Sequence, residues 1–229
     1  MDLIGEEYER IWDEIRSIIE YQFKNGIKNG IRGFLLYGEP GIGKTFLLLQ
    51  ICKRLEKLGW EYEFYDASHI AHKHYGESEK IISSIFERGK GRRRIIMFDD
   101  VDGLFITRDY GVKLETWYLS HLNVLFHKLD ELDTSREIVF MTTNKIKLID
   151  FALRDRLYNI QVPNPSKETL KKYVIERFKE LKMDSRYSED IFNKIDSGEL
   201  KNFRKVDQEI IKAFVKHVKR QEVLNVSKI

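Results

Sequence analysis

The stretch Gly38-Glu39-Pro40-Gly41-Ile42-Gly43-Lys44-Thr45 fits the pattern G-x-x-x-x-G-K-[ST] without a mismatch. Its chemistry is phosphate binding. Glycines let the backbone curl until successive N–H groups face one point, and a helix opening there adds its positive end. The lysine at position 44 would reach the outer phosphates of a nucleoside triphosphate, and the Thr45 hydroxyl would take a place on Mg²⁺. A glycine turn that merely joins two elements is the alternative. The flanking residues argue against it: Gly33-Phe34-Leu35-Leu36-Tyr37 reads as a buried strand, and Phe46-Leu47-Leu48-Leu49-Gln50-Ile51 opens an apolar helix.

A second constellation follows at Arg94-Ile95-Ile96-Met97-Phe98-Asp99-Asp100, a continuously apolar strand that ends in two carboxylates. Carboxylates at the carboxyl end of a parallel strand face the same crevice as a phosphate loop. Asp99 is expected to hold Mg²⁺ through water, and Asp100 to orient and deprotonate an attacking water. The plainer reading of Asp100 is a loop carboxylate that caps the next turn. Thr142-Thr143-Asn144 ends a third apolar strand with a polar tip suited to orienting water near a terminal phosphate.

The elements that must position these groups can be read from periodicity. Helices are expected at residues 6–23, from the phosphate loop to about 58, at 78–88 and at 114–131. Strands are expected at 33–37, 61–65, 95–98, 138–142 and 158–162. Strands alternating with helices imply a parallel, doubly wound sheet. After Pro163-Asn164-Pro165 only helical patterns remain, at 166–182, 188–196 and about 200–219. The expected organisation is an α/β nucleotide-binding domain over residues 1–163 and a small all-helical domain over 164–229.

Four segments at matching intervals resemble the AAA+ ATPases, and most closely the AAA subgroup of ring-forming protein remodellers. They are the phosphate loop (Walker A), Phe98-Asp99-Asp100-Val101-Asp102-Gly103-Leu104 (Walker B), Phe140-Met141-Thr142-Thr143-Asn144 (sensor 1), and Ile149-Asp150-Phe151-Ala152-Leu153-Arg154-Asp155-Arg156 (arginine fingers). Gly76-Glu77-Ser78-Glu79-Lys80 matches a further pattern of the subgroup. The resemblance implies a P-loop NTPase sheet of order 5-1-4-3-2 flanked by helices and followed by a helical lid. It implies ATP and Mg²⁺ as cofactors and a nucleotide-dependent hexameric ring. By the same likeness the nucleotide contacts are Gly38, Glu39, Pro40, Gly41, Ile42, Gly43, Lys44, Thr45 and Phe46, with Ile4 and Gly5 near the adenine.

Asn144 falls at the sensor position, and Arg156, with Arg154 as second choice, at the finger that reaches a neighbour's γ-phosphate. The subgroup often has consecutive arginines there, which Asp155 interrupts, and glutamate where this chain has Asp100. Pairing of these arginines with Asp150 and Asp155 is the plainer alternative. Asn202-Phe203-Arg204-Lys205-Val206 resembles the sensor 2 region of other AAA+ branches and places Arg204 near the γ-phosphate. Lys73-His74-Tyr75-Gly76 sits where the subgroup has a pore loop whose aromatic ring grips a threaded polypeptide.

The bulk numbers exclude several classes. Lys+Arg 40 against Asp+Glu 37 is too mild a balance to point to nucleic acid by itself. No stretch is long and apolar enough to span a membrane. The one cysteine, Cys52, rules out an internal disulfide. A cytoplasmic protein is expected, without a substrate-recruiting domain ahead of the module. His69, His72 and His74 are close in sequence but lack a fourth ligand. Arg92-Arg93-Arg94 is the one basic run, read as a solvated loop, a subunit contact or a nucleic-acid contact. The favoured target is a protein substrate or adaptor. A DNA-associated factor, such as a helicase loader or replication initiator, is the alternative, and a slowly hydrolysing assembly switch is a third reading.

Overall fold

A computed structural model describes residues 4–67, 70, 76–105 and 116–226. The chain divides into two compact units. One comprises Ile11–Glu39 and Lys44–Val162; the other comprises Met1–Arg10, Pro40–Gly43 and Pro163–Ile229.

The larger unit is built on five strands: β1 (Gly33–Tyr37), β2 (Glu61–Asp66), β3 (Arg94–Asp99), β4 (Glu137–Thr143) and β5 (Tyr158–Gln161). They pair in the order β2-β3-β4-β1-β5, the expected order read from the opposite edge, and every pairing is parallel. The central strands β3 and β4 are buried along nearly their whole length, which explains their unbroken apolar runs. The edge strands β2 and β5 are half exposed and carry charged or polar residues. Parallel pairing needs crossover helices. Here they are α2 (Lys44–Glu56), α3 (Glu77–Glu87), α4 (Thr116–Asp130) and the short α5 (Phe151–Arg156). Ile82, Ile85 and Phe86 of α3 and Leu122, Leu125 and Leu129 of α4 bury against Ile96, Phe98, Val139 and Met141 of the sheet. The helix α1 (Glu6–Lys24) contributes Ile15 and Ile19 to the core. Cys52 is fully buried, and that burial pushes its thiol up to about 12, so it acts as a small apolar residue.

The second unit contains α6 (Lys167–Glu180), α7 (Ser188–Asp196) and α8 (Phe203–Val226). Ser166 caps α6 by accepting from the Thr169 amide at 3.1 Å. Leu170, Val174 and Phe178 of α6 meet Ile191 and Ile195 of α7 and Val206 and Ile210 of α8 in a separate apolar core.

The basic run divides: Arg92 and Arg93 are exposed, as a solvated loop would have them, and Arg94 is structural. Arg92 lies 3.8 Å from Glu61, and the Arg93 guanidinium stands 3.8 Å from the Phe23 ring centroid. Arg94 is buried at 1% exposure. In the parallel register Arg94 lies directly across from Glu137, and its guanidinium contacts that carboxylate at 2.7 Å. The remaining donors go to the carbonyls of Ile85, Phe86 and Arg88, closing the last turn of α3. β4 starts one residue earlier than the apolar pattern suggests because Glu137 is held by Arg94 rather than by water.

Removing one partner of such a pair leaves a buried charge uncompensated. Glu137→Ala should therefore lose about 3–5 kcal/mol of stability, read as a lowered urea midpoint. Arg94→Met together with Glu137→Leu should recover most of that loss.

Candidate functional site

β1 leads into the phosphate loop and α2 leads out of it, so the loop sits at the carboxyl edge of the sheet. Gly41 and Gly43 adopt φ of 83° and 87°, a region closed to most residues. Side chains there would also be crowded. A Cβ at Gly41 would lie 3.0 Å from the Arg204 Cβ, and one at Gly43 would lie 3.2 Å from the Phe203 ring. These contacts lie within the helical unit, with which Pro40–Gly43 cluster.

Lys44 opens α2 and is buried. Its ammonium donates to the carbonyls of Gly38 at 2.9 Å and Glu39 at 2.8 Å, and to Asn144 Oδ1 at 2.7 Å. An ammonium can only donate, so it fixes the oxygen of the Asn144 amide toward itself. The amide nitrogen then points away and donates to Asp100 Oδ1 at 2.9 Å. Asn144 thus bridges the phosphate-loop lysine and the second carboxylate of β3.

A second set of bonds surrounds Asp99. Thr45 Oγ1 donates to its carboxylate at 2.9 Å, and Thr142 Oγ1 at 2.5 Å. The Asp100 amide donates to Thr142 Oγ1 at 2.9 Å. Asp100 has φ 53° and ψ 58°, a left-handed conformation that aspartate tolerates better than most residues. Its carboxyl is held above the usual aspartate range, first by partial loss of water, then by the neighbouring carboxylates of Asp102 and Asp99; the Asn144 hydrogen bond works the other way.

Asp102 takes a place that its residue type did not disclose. Its carboxylate accepts from the Thr143 hydroxyl and from the Asn144 amide N–H at 3.1 Å. It therefore pins the backbone that carries Asn144.

The structure thus brings together Lys44, Thr45, Asp99, Asp100 and Asn144, drawn from three separate strand ends. Phe46 follows in α2 and is part exposed. Thr45 and Asp99 offer hard oxygen donors side by side, the ligand type Mg²⁺ prefers, with phosphates and water completing its shell. The loop glycines and buried Lys44 fit a polyphosphate.

Within the larger unit, the two candidate finger arginines have partners of their own on or near α5. Arg156 donates to the Ala152 carbonyl at 3.0 Å and to Asp130 Oδ2 at 3.3 Å, with its guanidinium 4.6 Å from the Phe126 ring centroid. Arg154 lies over Phe151, whose ring is 69% exposed. Among the described residues, the buried Nε atoms of Arg154 and Arg156 have no hydrogen-bond partner. In the helical unit the Arg204 amide donates to the Gly41 carbonyl at 3.3 Å, and Ile4 and Gly5 line a pocket of about 420 Å³ with Lys172, Ile175 and Glu176. Gly76 precedes α3 with φ 84°. Lys73, His74 and Tyr75 lie outside the described residues, as do His69 and His72. Among the described residues no group of three or more His, Cys, Asp or Glu could hold a metal ion.

A parallel sheet with a phosphate loop after its first strand and two carboxylates at the tip of its third defines a P-loop α/β protein. More closely, the chain belongs to the ATPase family associated with various cellular activities (AAA), whose profile matches residues 34–164. It is 34% identical over 152 residues to an AAA ATPase forming ring-shaped complexes from Corynebacterium efficiens, covering 59% of this chain and 28% of that protein. It is 34% identical over 166 residues to the 26S proteasome subunit RPT4 of Saccharomyces cerevisiae, covering 66% and 37%. Identity to the proteasome-activating nucleotidase of Saccharolobus solfataricus is 30% over 166 residues, covering 66% and 41%. The chain spans less than half the length of each of these relatives.

Because Asp102 holds Asn144 rather than substrate, Asp102→Ala should leave nucleotide affinity nearly intact. ATP turnover should fall roughly 10–100-fold, the usual effect of losing a supporting hydrogen bond. Equilibrium binding of a fluorescent ATP analogue beside steady-state hydrolysis separates the two effects.

Proposed function

We propose that the chain is the ATP-hydrolysing module of a ring whose subunits complete one another's sites and which acts on protein chains. The observation that carries hydrolysis is the Lys44–Asn144–Asp100 bridge beside the Thr45–Asp99 pair. Lys44 and the loop amides would hold the phosphates, and Thr45 and Asp99 would hold Mg²⁺. When bound, Mg²⁺ supplies charge neutralisation at the phosphate oxygens. Asn144 would orient the attacking water, and Asp100 would accept its proton. A carboxyl held above the usual range is a stronger base than a free aspartate.

The ring reading is supported by relatives named as ring-forming complexes and proteasomal ATPases. It is supported also by the place of Arg154 and Arg156 on α5, in the segment that resembles the arginine fingers of the family. Arg156 is the first choice for the residue reaching a neighbour's γ-phosphate and Arg154 the second; Arg204, at the sensor 2 position, would contact the subunit's own γ-phosphate. The segment Lys73, His74, Tyr75 and Gly76 would grip the polypeptide. Nucleic acid is not favoured: the net charge is mild, and Arg94 of the one basic run is buried against Glu137. A slowly hydrolysing switch is the second reading: Asp100 is shorter than glutamate and already engaged by Asn144.

The test is steady-state ATPase rate against protein concentration. Specific activity should climb with concentration. Lys44→Ala should abolish nucleotide binding, and Asp100→Ala and Arg156→Ala should each lower turnover about a hundredfold or more. Mixing the last two variants should restore part of the activity, since each supplies what the other lacks. A rate independent of concentration and indifferent to Arg156 would remove the ring.

A further inference from the structure

Thr142 lies in β4, beside the last residues of β3. The register sets Phe98 across from Met141, so Asp99 and Thr142 come next on adjacent parallel strands. Thr142 is only 2% exposed. A hydroxyl has one proton to give and lone pairs to receive. Here the proton goes to Asp99 Oδ1 at 2.5 Å, and the Asp100 N–H donates to the oxygen at 2.9 Å. One atom thus touches both members of the carboxylate pair, through the side chain of the first and the backbone of the second.

Each contact answers a physical need. Asp99 also accepts from Thr45 Oγ1, and a carboxylate held from two sides has few orientations left. Asp100 occupies the left-handed region, where a bond to its amide helps hold the backbone. A valine at position 142 would fill the same volume and do neither.

We propose that Thr142 is a positioning residue for metal-dependent catalysis: its hydroxyl orients the carboxylate of Asp99 toward Mg²⁺ and fixes the backbone from which Asp100 reaches the water. The inference rests on the ATP-hydrolysis reading above. It assigns Thr142 no contact with nucleotide. Losing its hydroxyl should weaken metal engagement and turnover together while sparing nucleotide binding without metal. The competing role is space filling in a packed strand, for which the methyl group matters and the hydroxyl does not.

The test compares Thr142→Ser, which keeps the hydroxyl and loses the methyl, with Thr142→Ala and Thr142→Val, which both lose the hydroxyl. A fluorescent ATP analogue is titrated in EDTA and in Mg²⁺, and kcat is measured against Mg²⁺ concentration. The expected result is wild-type affinity in EDTA for all three variants. Ala and Val should show roughly a 10–100-fold loss in kcat with a raised Mg²⁺ requirement, and Ser should stay near wild type. If Ser is as impaired as Ala, packing is the role and the proposal is overturned; if Ala and Val match wild type, it is overturned too. Should Val misfold, as a thermal melt would show, the Ser and Ala pair still decides. If wild type itself neither hydrolyses ATP nor gains affinity from Mg²⁺, the failure belongs to the proposed function instead.

Discussion

Parallel pairing of β1 with β4 and of β4 with β3 is the constraint on which the rest of the larger unit depends. It ends all three strands at one edge and in one direction, so groups remote in sequence become neighbours. Lys44 and Asn144 are a hundred residues apart and share a hydrogen bond. A shift of one residue in either pairing would turn Thr142 to the opposite face of the sheet and break the contacts around Asp99. The apolar faces that fix the register therefore also fix the chemistry.

Two orders of polar contact meet at that edge. Lys44, Thr45, Asp99, Asp100 and Asn144 present groups that could meet phosphate, metal or water. Behind them, Thr142 and Asp102 hold those groups in place through the Asp99 carboxylate, the Asp100 amide and the Asn144 amide. A catalytic group is useful only when its own position is enforced, and here both enforcing groups sit on or beside the central strands rather than on free loops.

The long elements were legible because unbroken apolar runs and helical spacing survive in the bare sequence, whereas the sheet order came from the resemblance to the AAA+ ATPases. Strand ends moved by about a residue where polar side chains continued the element, as Arg94 does for β3 and Glu137 for β4, while α8 starts at Phe203 and runs on to Val226, past the expected end near 219. The helix α5 was hidden because a run as short as Phe151–Arg156 has no room for a period, and only its cap at Asp150 marks it. The phosphate loop was legible since its residue types are dictated locally, by backbone angles and one ligand. Asp102 was not, and Thr142, read as part of a polar tip that orients water, is instead buried against Asp99, because each matters through a partner on another strand. Arg94 is the plainest case: within Arg92-Arg93-Arg94 nothing distinguishes it from its exposed neighbours, and its partner Glu137 stands far along the chain.

That arginine has a mechanical consequence. A helix under tension yields first at its last turn, where carbonyls lack amide partners. In α3 that turn is closed by a guanidinium rooted in β3 and anchored to β4. A load entering α3 at Gly76 would run down the helix and pass through this rivet into the middle of the sheet, reaching the same strands whose far ends carry Asp99 and Asn144. The Arg94 rivet and the carboxylate tips thus lie at opposite ends of the same two extended strands, one end tied to α3 and the other to the site.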